Sequence, residues 1–257
     1  MTHAQPLAGK VAVVTGASRG LGRAMAIRLA ADGALVAVNY RSAKDEAAQV
    51  VGEIEKSGGR AFAVQGDVSS VAEIVEFYGR LDKELQARTG STGFDILIPN
   101  AGVTHSGTVA ETDEAAFDKV FNLNVKGVFF VVQKGLERLR DGGRIITLSS
   151  GLTRFYYPQY IAYSSTKGAI DVMTKCLAKQ LGGRGITVNA VAPGAIDTDM
   201  NAGWIRSEEG QQFMSSIAAL GRVGMPDDIS GVVAFLARDE AGWVTAQRIE
   251  ASGGAHL

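Results

Sequence analysis

The residues best equipped for chemistry in this chain are a tyrosine and a lysine four positions apart, Tyr163 and Lys167. On a helix, positions i and i+4 share a face. Ile170, Val172, Met173 and Leu177 follow, interleaved with Lys175 and Lys179, and this spacing predicts a helix. A free phenol has a pKa of about 10 and is a poor acid or base at neutral pH. An adjacent ammonium favours the phenolate and lowers that pKa. A pair held this way can pass a proton to or from an alcohol or carbonyl oxygen. Five residues do not settle the matter, because a half-buried Tyr beside a solvated Lys has the same spacing. The elements that position the pair must decide.

Those elements alternate. Residues 10–15 form a short apolar strand, and Gly16-Ala17-Ser18-Arg19-Gly20-Leu21-Gly22 follows at once. Leu21, Met25 and Leu29 then recur at helical spacing, Gly33 ends that helix, and residues 35–38 make a second strand. This βαβ unit carries a phosphate site at its helix N-terminus, where glycines let the backbone approach the anion. Further strands are expected at residues 61–64, 94–98, 144–148, 186–191 and 243–249, seven in all. Helices are expected over residues 43–56, 71–81 and 229–236, with Ser69 or Ser70 as a cap. A long helix starts at Thr112-Asp113-Glu114 and is expected to stop at Gly142-Gly143. Strands separated by helices argue an α/β fold with a doubly wound parallel sheet, in one domain spanning residues 1–257. Residues 193–211 read as an irregular segment, long enough for a functional role.

Composition narrows the function classes. The chain has 257 residues, 46% hydrophobic and 21% charged, with a net charge of −1. That balance gives no electrostatic case for nucleic acid or an anionic membrane. The single cysteine, Cys176, excludes an internal disulfide framework and a Cys-rich metal site, and its apolar helical setting predicts a small buried hydrophobe. No metal site is expected. With neither a signal core nor a spanning run, the expected location is cytoplasmic.

Ligands of such sheets bind outside the carboxyl ends of the strands. The polar clusters fall there in turn: the glycine loop, residues 39–42, Asp67, Asn100-Ala101-Gly102, Ser149-Ser150 and Pro193-Gly194. Asn124 sits on the apolar stripe of its helix, three or four residues from Val120, Phe121 and Val128, where a buried amide needs partners. A rival reading is a serine hydrolase, since Gly16-Ala17-Ser18-Arg19-Gly20 also matches a nucleophile elbow at Ser18. It needs a later histidine. The chain offers only His3, His105 and His256, and the last is expected to be mobile as the penultimate residue.

Taken together, Thr15 to Gly22, Asp67-Val68, Asn100-Ala101-Gly102, Asn124, Ser150, Tyr163-x-x-x-Lys167 and Pro193 to Thr198 resemble the short-chain dehydrogenase/reductase family over nearly the whole chain. Among its members the chain resembles 3-oxoacyl-carrier-protein reductases most. The resemblance implies Tyr163 as general acid/base, Ser150 on the substrate oxygen, Lys167 on the nicotinamide ribose and Asn124 behind a water leading to Lys167. It implies cofactor contacts from Gly16, Ser18, Arg19, Gly20, Leu21, Gly22, Tyr40, Arg41, Ser42, Asp67, Val68, Asn100, Ala101, Gly102, Pro193, Gly194, Ile196 and Thr198. It also implies a mobile substrate lid near residues 195–215 and a homo-oligomer, tetramer or dimer. Pro99 and Ala246 depart from the family's usual Asn and Gly, and residues 250–254 from its usual Val-Asp-Gly-Gly.

The expected cofactor is NADP(H). An NAD site places a carboxylate at the end of the second strand, whereas here Tyr40-Arg41-Ser42 follow Asn39 and the first acid is Asp45. Arg41, Ser42 and Arg19 can meet a 2′-phosphate instead. The expected reaction is hydride transfer between nicotinamide and a carbonyl or secondary alcohol. Phe155, Tyr156, Tyr157 and Tyr160, with Met200, Trp204, Ile205, Phe213 and Met214, favour a hydrophobic ketone over the alternative of a sugar or polyol. Asp141 stands where carrier-dependent relatives have a basic docking residue, which argues against an acyl carrier. A non-catalytic dinucleotide sensor is the other alternative; a sensor can lose Tyr, Lys or Ser, and all three are present.

Overall fold

Apolar β-branched runs separated by amphipathic helices bury both faces of a parallel sheet. A computed structural model describes residues 5–257 and realises this arrangement. Strands β1 (Val11–Val14), β2 (Leu35–Tyr40), β3 (Arg60–Gln65), β4 (Phe94–Ile98), β5 (Leu139–Leu148), β6 (Thr187–Pro193) and β7 (Arg248–Ala251) form one sheet. Its order is β3-β2-β1-β4-β5-β6-β7, and every pairing is parallel.

The period-2 alternation of β1 divides the core. Ala12 and Val14 pack with helices α1 (Gly20–Ala31), α2 (Lys44–Lys56) and α9 (Pro226–Ala237). Val11 and Val13 face the opposite layer, with α3 (Val71–Thr89), α5 (Val128–Gly135) and α6 (Ile161–Leu181). Ser70, not Ser69, caps α3 by accepting the Glu73 amide.

Four local expectations are corrected. The long helix is broken into α4 (Glu114–Phe121), a π-helical turn (Asn122–Gly127) and α5. It ends at Gly135, where any side chain would meet the Tyr78 hydroxyl at 2.5 Å. Gly142-Gly143 therefore stop no helix. They form a bulge in β5 between Leu139, which pairs with Phe94, and Arg144, which pairs with Ile96; Gly142 has φ +72°.

The seventh strand starts five residues late because Asn189 captures the preceding segment. Its amide group donates to the Val244 carbonyl and accepts the Gln247 amide. Ala246, in the family's glycine position, has φ +60° inside this turn. The segment 193–211 is not irregular throughout: α7 (Ala202–Ile205) lies in it and α8 (Glu208–Ile217) starts in it. Ser207 caps α8, and Glu208 and Glu209 sit in its first turn, a start signal present in the sequence. Finally, Cys176 is exposed, because the buried stripe of α6 runs through Ile170, Thr174, Ala178 and Leu181.

Candidate active site

The glycine loop leaves β1 and is fastened from two sides. Asn39, buried at the end of β2, accepts the Gly16 amide at 3.2 Å through its side chain and the Ala17 amide at 2.8 Å through its carbonyl. Its own amide donates to the Gly66 carbonyl at 3.1 Å. Asn100, beyond β4, donates to the carbonyls of Thr15 at 2.8 Å and Gly16 at 3.2 Å. The Ala101 amide donates to the Thr15 hydroxyl at 3.0 Å. Gly22 is obligatory, since a Cβ there would stand 2.3 Å from the Gly16 oxygen. Asn39 and Thr15 fall within the expected polar cluster and glycine motif, but neither was expected to fasten the loop. A buried Asn amid strand apolars was the available signal.

Helix α1 begins at Arg19 with no side-chain cap, so its first amides are free for an anion. Arg19, Arg41 and Ser42 are all exposed around it. Arg41 Nη1 lies 3.9 Å from Asp67 Oδ2, while Asp67 Oδ1 accepts the amide and hydroxyl of Ser69. No acid stands at the end of β2; Asp45 lies in the first turn of α2. Tyr40 is buried in the core beneath this edge, and Leu21 packs against the same core. These uncapped amides and exposed cations fit a phosphorylated dinucleotide.

Ser150, Tyr163, Lys167 and Asn124 converge at the ends of β4 and β5. Lys167 is buried, donates to the Leu148 carbonyl at 2.8 Å and lies 5.5 Å from the centre of the Tyr163 ring. Thr166 donates to the Tyr163 carbonyl at 2.6 Å and receives the Asn124 amide at 3.2 Å. Asn124 also exchanges two 2.9 Å hydrogen bonds with the Val103 backbone. The π-helical turn brings it there, and Gly127 permits the turn: a Cβ would be 2.3 Å from the Val68 oxygen. Gly102 and the buried Val68 adjoin this region, while Gly194 packs on Ser252. Pro193 ends β6, the buried Ile196 bridges Gly224, and Thr198 donates to Asn201 at 2.7 Å.

The electrostatics differ from the expectation in one respect. Burial pushes the Tyr163 phenol up to about 12, against the lowering effect of its hydrogen bond with Ser150. The same burial brings Lys167 down to about 8, partly offset by the field of Asp171. Desolvation is the largest cause of both shifts. Tyr163 is thus a protonated acid at neutral pH.

The substrate side is looser. Residues 151–160 lead into the helix of Tyr163, and Trp204 of α7 packs on Phe213 of α8 at 5.9 Å with both rings half exposed. His256 is held in place: its ring meets the Tyr157 hydroxyl at 2.9 Å and its amide donates to the Ile217 carbonyl. His105 meets Thr112 at 3.3 Å. Neither imidazole pairs with Ser18, and His3 lies outside the described residues. The elbow reading therefore has no base among the described residues.

A family model described as "Enoyl-(Acyl carrier protein) reductase" matches residues 16–256. The chain is 43% identical to "Short chain dehydrogenase/reductase AacuN" of Aspergillus aculeatus, over 97% of this chain and 96% of that one. This chain belongs to the short-chain dehydrogenase/reductase family. Two solved family structures match it with a TM-score of 0.94 and 44% identity over 98% of its length. One is the promiscuous reductase LugOII, which catalyses keto-reduction at C1 during lugdunomycin biosynthesis, matched over 100% of its chain. The other is the angucycline C-6 ketoreductase LanV with bound NADP, matched over 97% of its chain. Within the family, no helix of this structure is long and apolar enough to cross a membrane among the described residues.

Proposed function

We propose that this chain is an NADP-dependent ketoreductase whose substrate is a polycyclic aromatic ketone of the polyketide type. One observation carries the reaction: Ser150, Tyr163 and Lys167 meet beside a glycine loop flanked by Arg19 and Arg41. Bound NADPH supplies the hydride that the carbonyl carbon accepts. The Ser150 hydroxyl donates to the carbonyl oxygen and fixes its position. The Tyr163 phenol, protonated at neutral pH, then gives its proton to that oxygen. Lys167 has donors to spare beyond the Leu148 carbonyl and holds the ribose hydroxyls. Its ammonium form is lost as the pH rises through about 8, so the rate of reduction falls across that range.

The half-exposed Trp204, Phe213, Phe155 and Tyr157 supply flat apolar walls suited to fused rings. The resemblance to LugOII and LanV points the same way. An acyl carrier has little to dock on. Arg140 is bound to Asp95 at 2.8 Å, and Asp141 to Arg184 at 2.7 Å. Residues 195–215 act as the lid over this cleft. We also infer a cytoplasmic homo-oligomer; the exposed Phe129 and Val172 offer apolar surface to a second copy, and a single-chain mass in solution would count against it.

A substrate panel tests the reading. Polycyclic aryl ketones should exceed acetoacetyl thioesters and polyols in kcat/KM by about tenfold or more, the size of one well-placed apolar contact. Polyols or thioesters at the head of that ranking would refute it.

A further inference from the structure

Arg248 joins the two catalytic elements from the outermost strand. Its Nη2 donates to the Ser150 carbonyl at 2.9 Å, and its Nε donates to the Thr153 hydroxyl at 2.9 Å. Nε also lies 3.3 Å from Asp171 Oδ2, and Nη1 donates to Glu250 Oε2 at 3.1 Å. Asp171 stands one helical turn beyond Lys167, two beyond Tyr163. Its second oxygen is buried and has no hydrogen-bond partner. Glu250 is anchored in turn by Arg154, at 2.6 and 2.9 Å, and by Ser252 at 2.7 Å. Only a planar guanidinium with five fixed donors can meet the serine peptide, a threonine and two carboxylates at once.

We propose that Arg248 is a positioning residue for this reaction, tying the Ser150 peptide to the helix that carries Tyr163 and Lys167 and neutralising Asp171 so that its charge acts less on Lys167. The inference rests on the roles given above to Ser150, Tyr163 and Lys167. Two consequences follow. Without the tie, Ser150 drifts relative to Tyr163, and a displacement near 1 Å costs about 10²-fold in rate. Without the cation, Asp171 acts on Lys167 at full strength.

Asp171 is the charged side chain whose field reaches Lys167; the other groups against that ammonium are the Tyr163 ring and the Leu148 carbonyl. The carboxylate favours the protonated lysine. Unmasking it moves the alkaline limb of the reductive kcat/KM profile to higher pH, and removing it moves the limb lower. A residue that only supported the fold would produce neither shift.

The experiment compares kcat, KM and pH profiles of the full-length enzyme and its Arg248→Met, Arg248→Lys, Asp171→Asn and Tyr163→Phe variants, with NADPH and an aryl ketone. Arg248→Met should lose about ten- to a hundredfold in kcat and shift the alkaline limb upward. Asp171→Asn should shift it downward. Arg248→Lys should keep the wild-type limb, because the charge remains, while recovering only part of kcat. If Arg248→Met does not fold, the other two variants carry the test. Wild-type limbs and kcat within threefold of wild type in all Arg248 and Asp171 variants would overturn the proposal. Should Tyr163→Phe turn over normally, the underlying mechanism fails instead; an inactive Tyr163→Phe beside neutral Arg248 variants sinks the positioning role alone.

Discussion

The two halves of the cleft are built on opposite principles. On the cofactor side, from β1 to β4, short side chains bond backbone directly: Asn39, Asn100 and Thr15 fasten the glycine loop, and Gly22 leaves no free volume. On the substrate side, residues 151–160 and α7–α8 present half-exposed aromatic rings, and their polar ties run to one another and to the C-terminal segment, as in Arg154 to Glu250 and Tyr157 to His256. The cofactor side recognises one fixed ligand by placing donors; the substrate side offers area and shape. A fastened site should respond to substitution with large changes in affinity or specificity. A site made of apolar walls should respond with modest changes in KM.

Reversing a charge on the fastened side is the stronger perturbation. Arg41→Asp should lower the NADPH-to-NADH ratio of kcat/KM on the order of 10², the worth of one or two charge-assisted contacts. The new carboxylate also stands beside Asp67, which lies 3.9 Å from the native guanidinium. An unchanged ratio would mean that no 2′-phosphate is read at this corner. On the apolar side, Trp204→Ala should raise KM for an aryl ketone by roughly three- to tenfold through lost burial. It should leave kcat within about twofold and NADPH affinity unchanged. A drop in kcat as large as that from an acid/base substitution would erase the contrast between the two halves.

The same contrast governs what was legible in the sequence. The β1–α1–β2 unit, the ends of β4 and β5 and the Tyr163 helix announce themselves through local spacing. Gly22 is legible because its constraint is a few residues long. What the sequence hid depends on distant partners. Gly142-Gly143 resembles a helix stop, yet it serves as a bulge because β4 holds both Leu139 and Arg144. The start of β7 is set by Asn189, 55 residues away from its partner Val244. Asn124 reaches Thr166 only because a π-helical turn rotates it, and Gly127 permits that turn against the Val68 backbone. Arg248 shows nothing in its sequence neighbourhood; its link to Ser150 spans 98 residues. The direction of the Tyr163 shift also runs opposite to the one read from spacing, because desolvation, invisible at i and i+4, dominates it.

The central claim is that one phenol, that of Tyr163, delivers the proton while the rest of the cleft only holds the reactants. The measurement that bears on it most directly is turnover of Tyr163→Phe on an aryl ketone alongside its NADPH dissociation constant. The account predicts a loss in kcat of about 10² or more with NADPH affinity within about threefold of wild type, since proton transfer alone is removed. Turnover near wild type, with NADPH still bound, would contradict it.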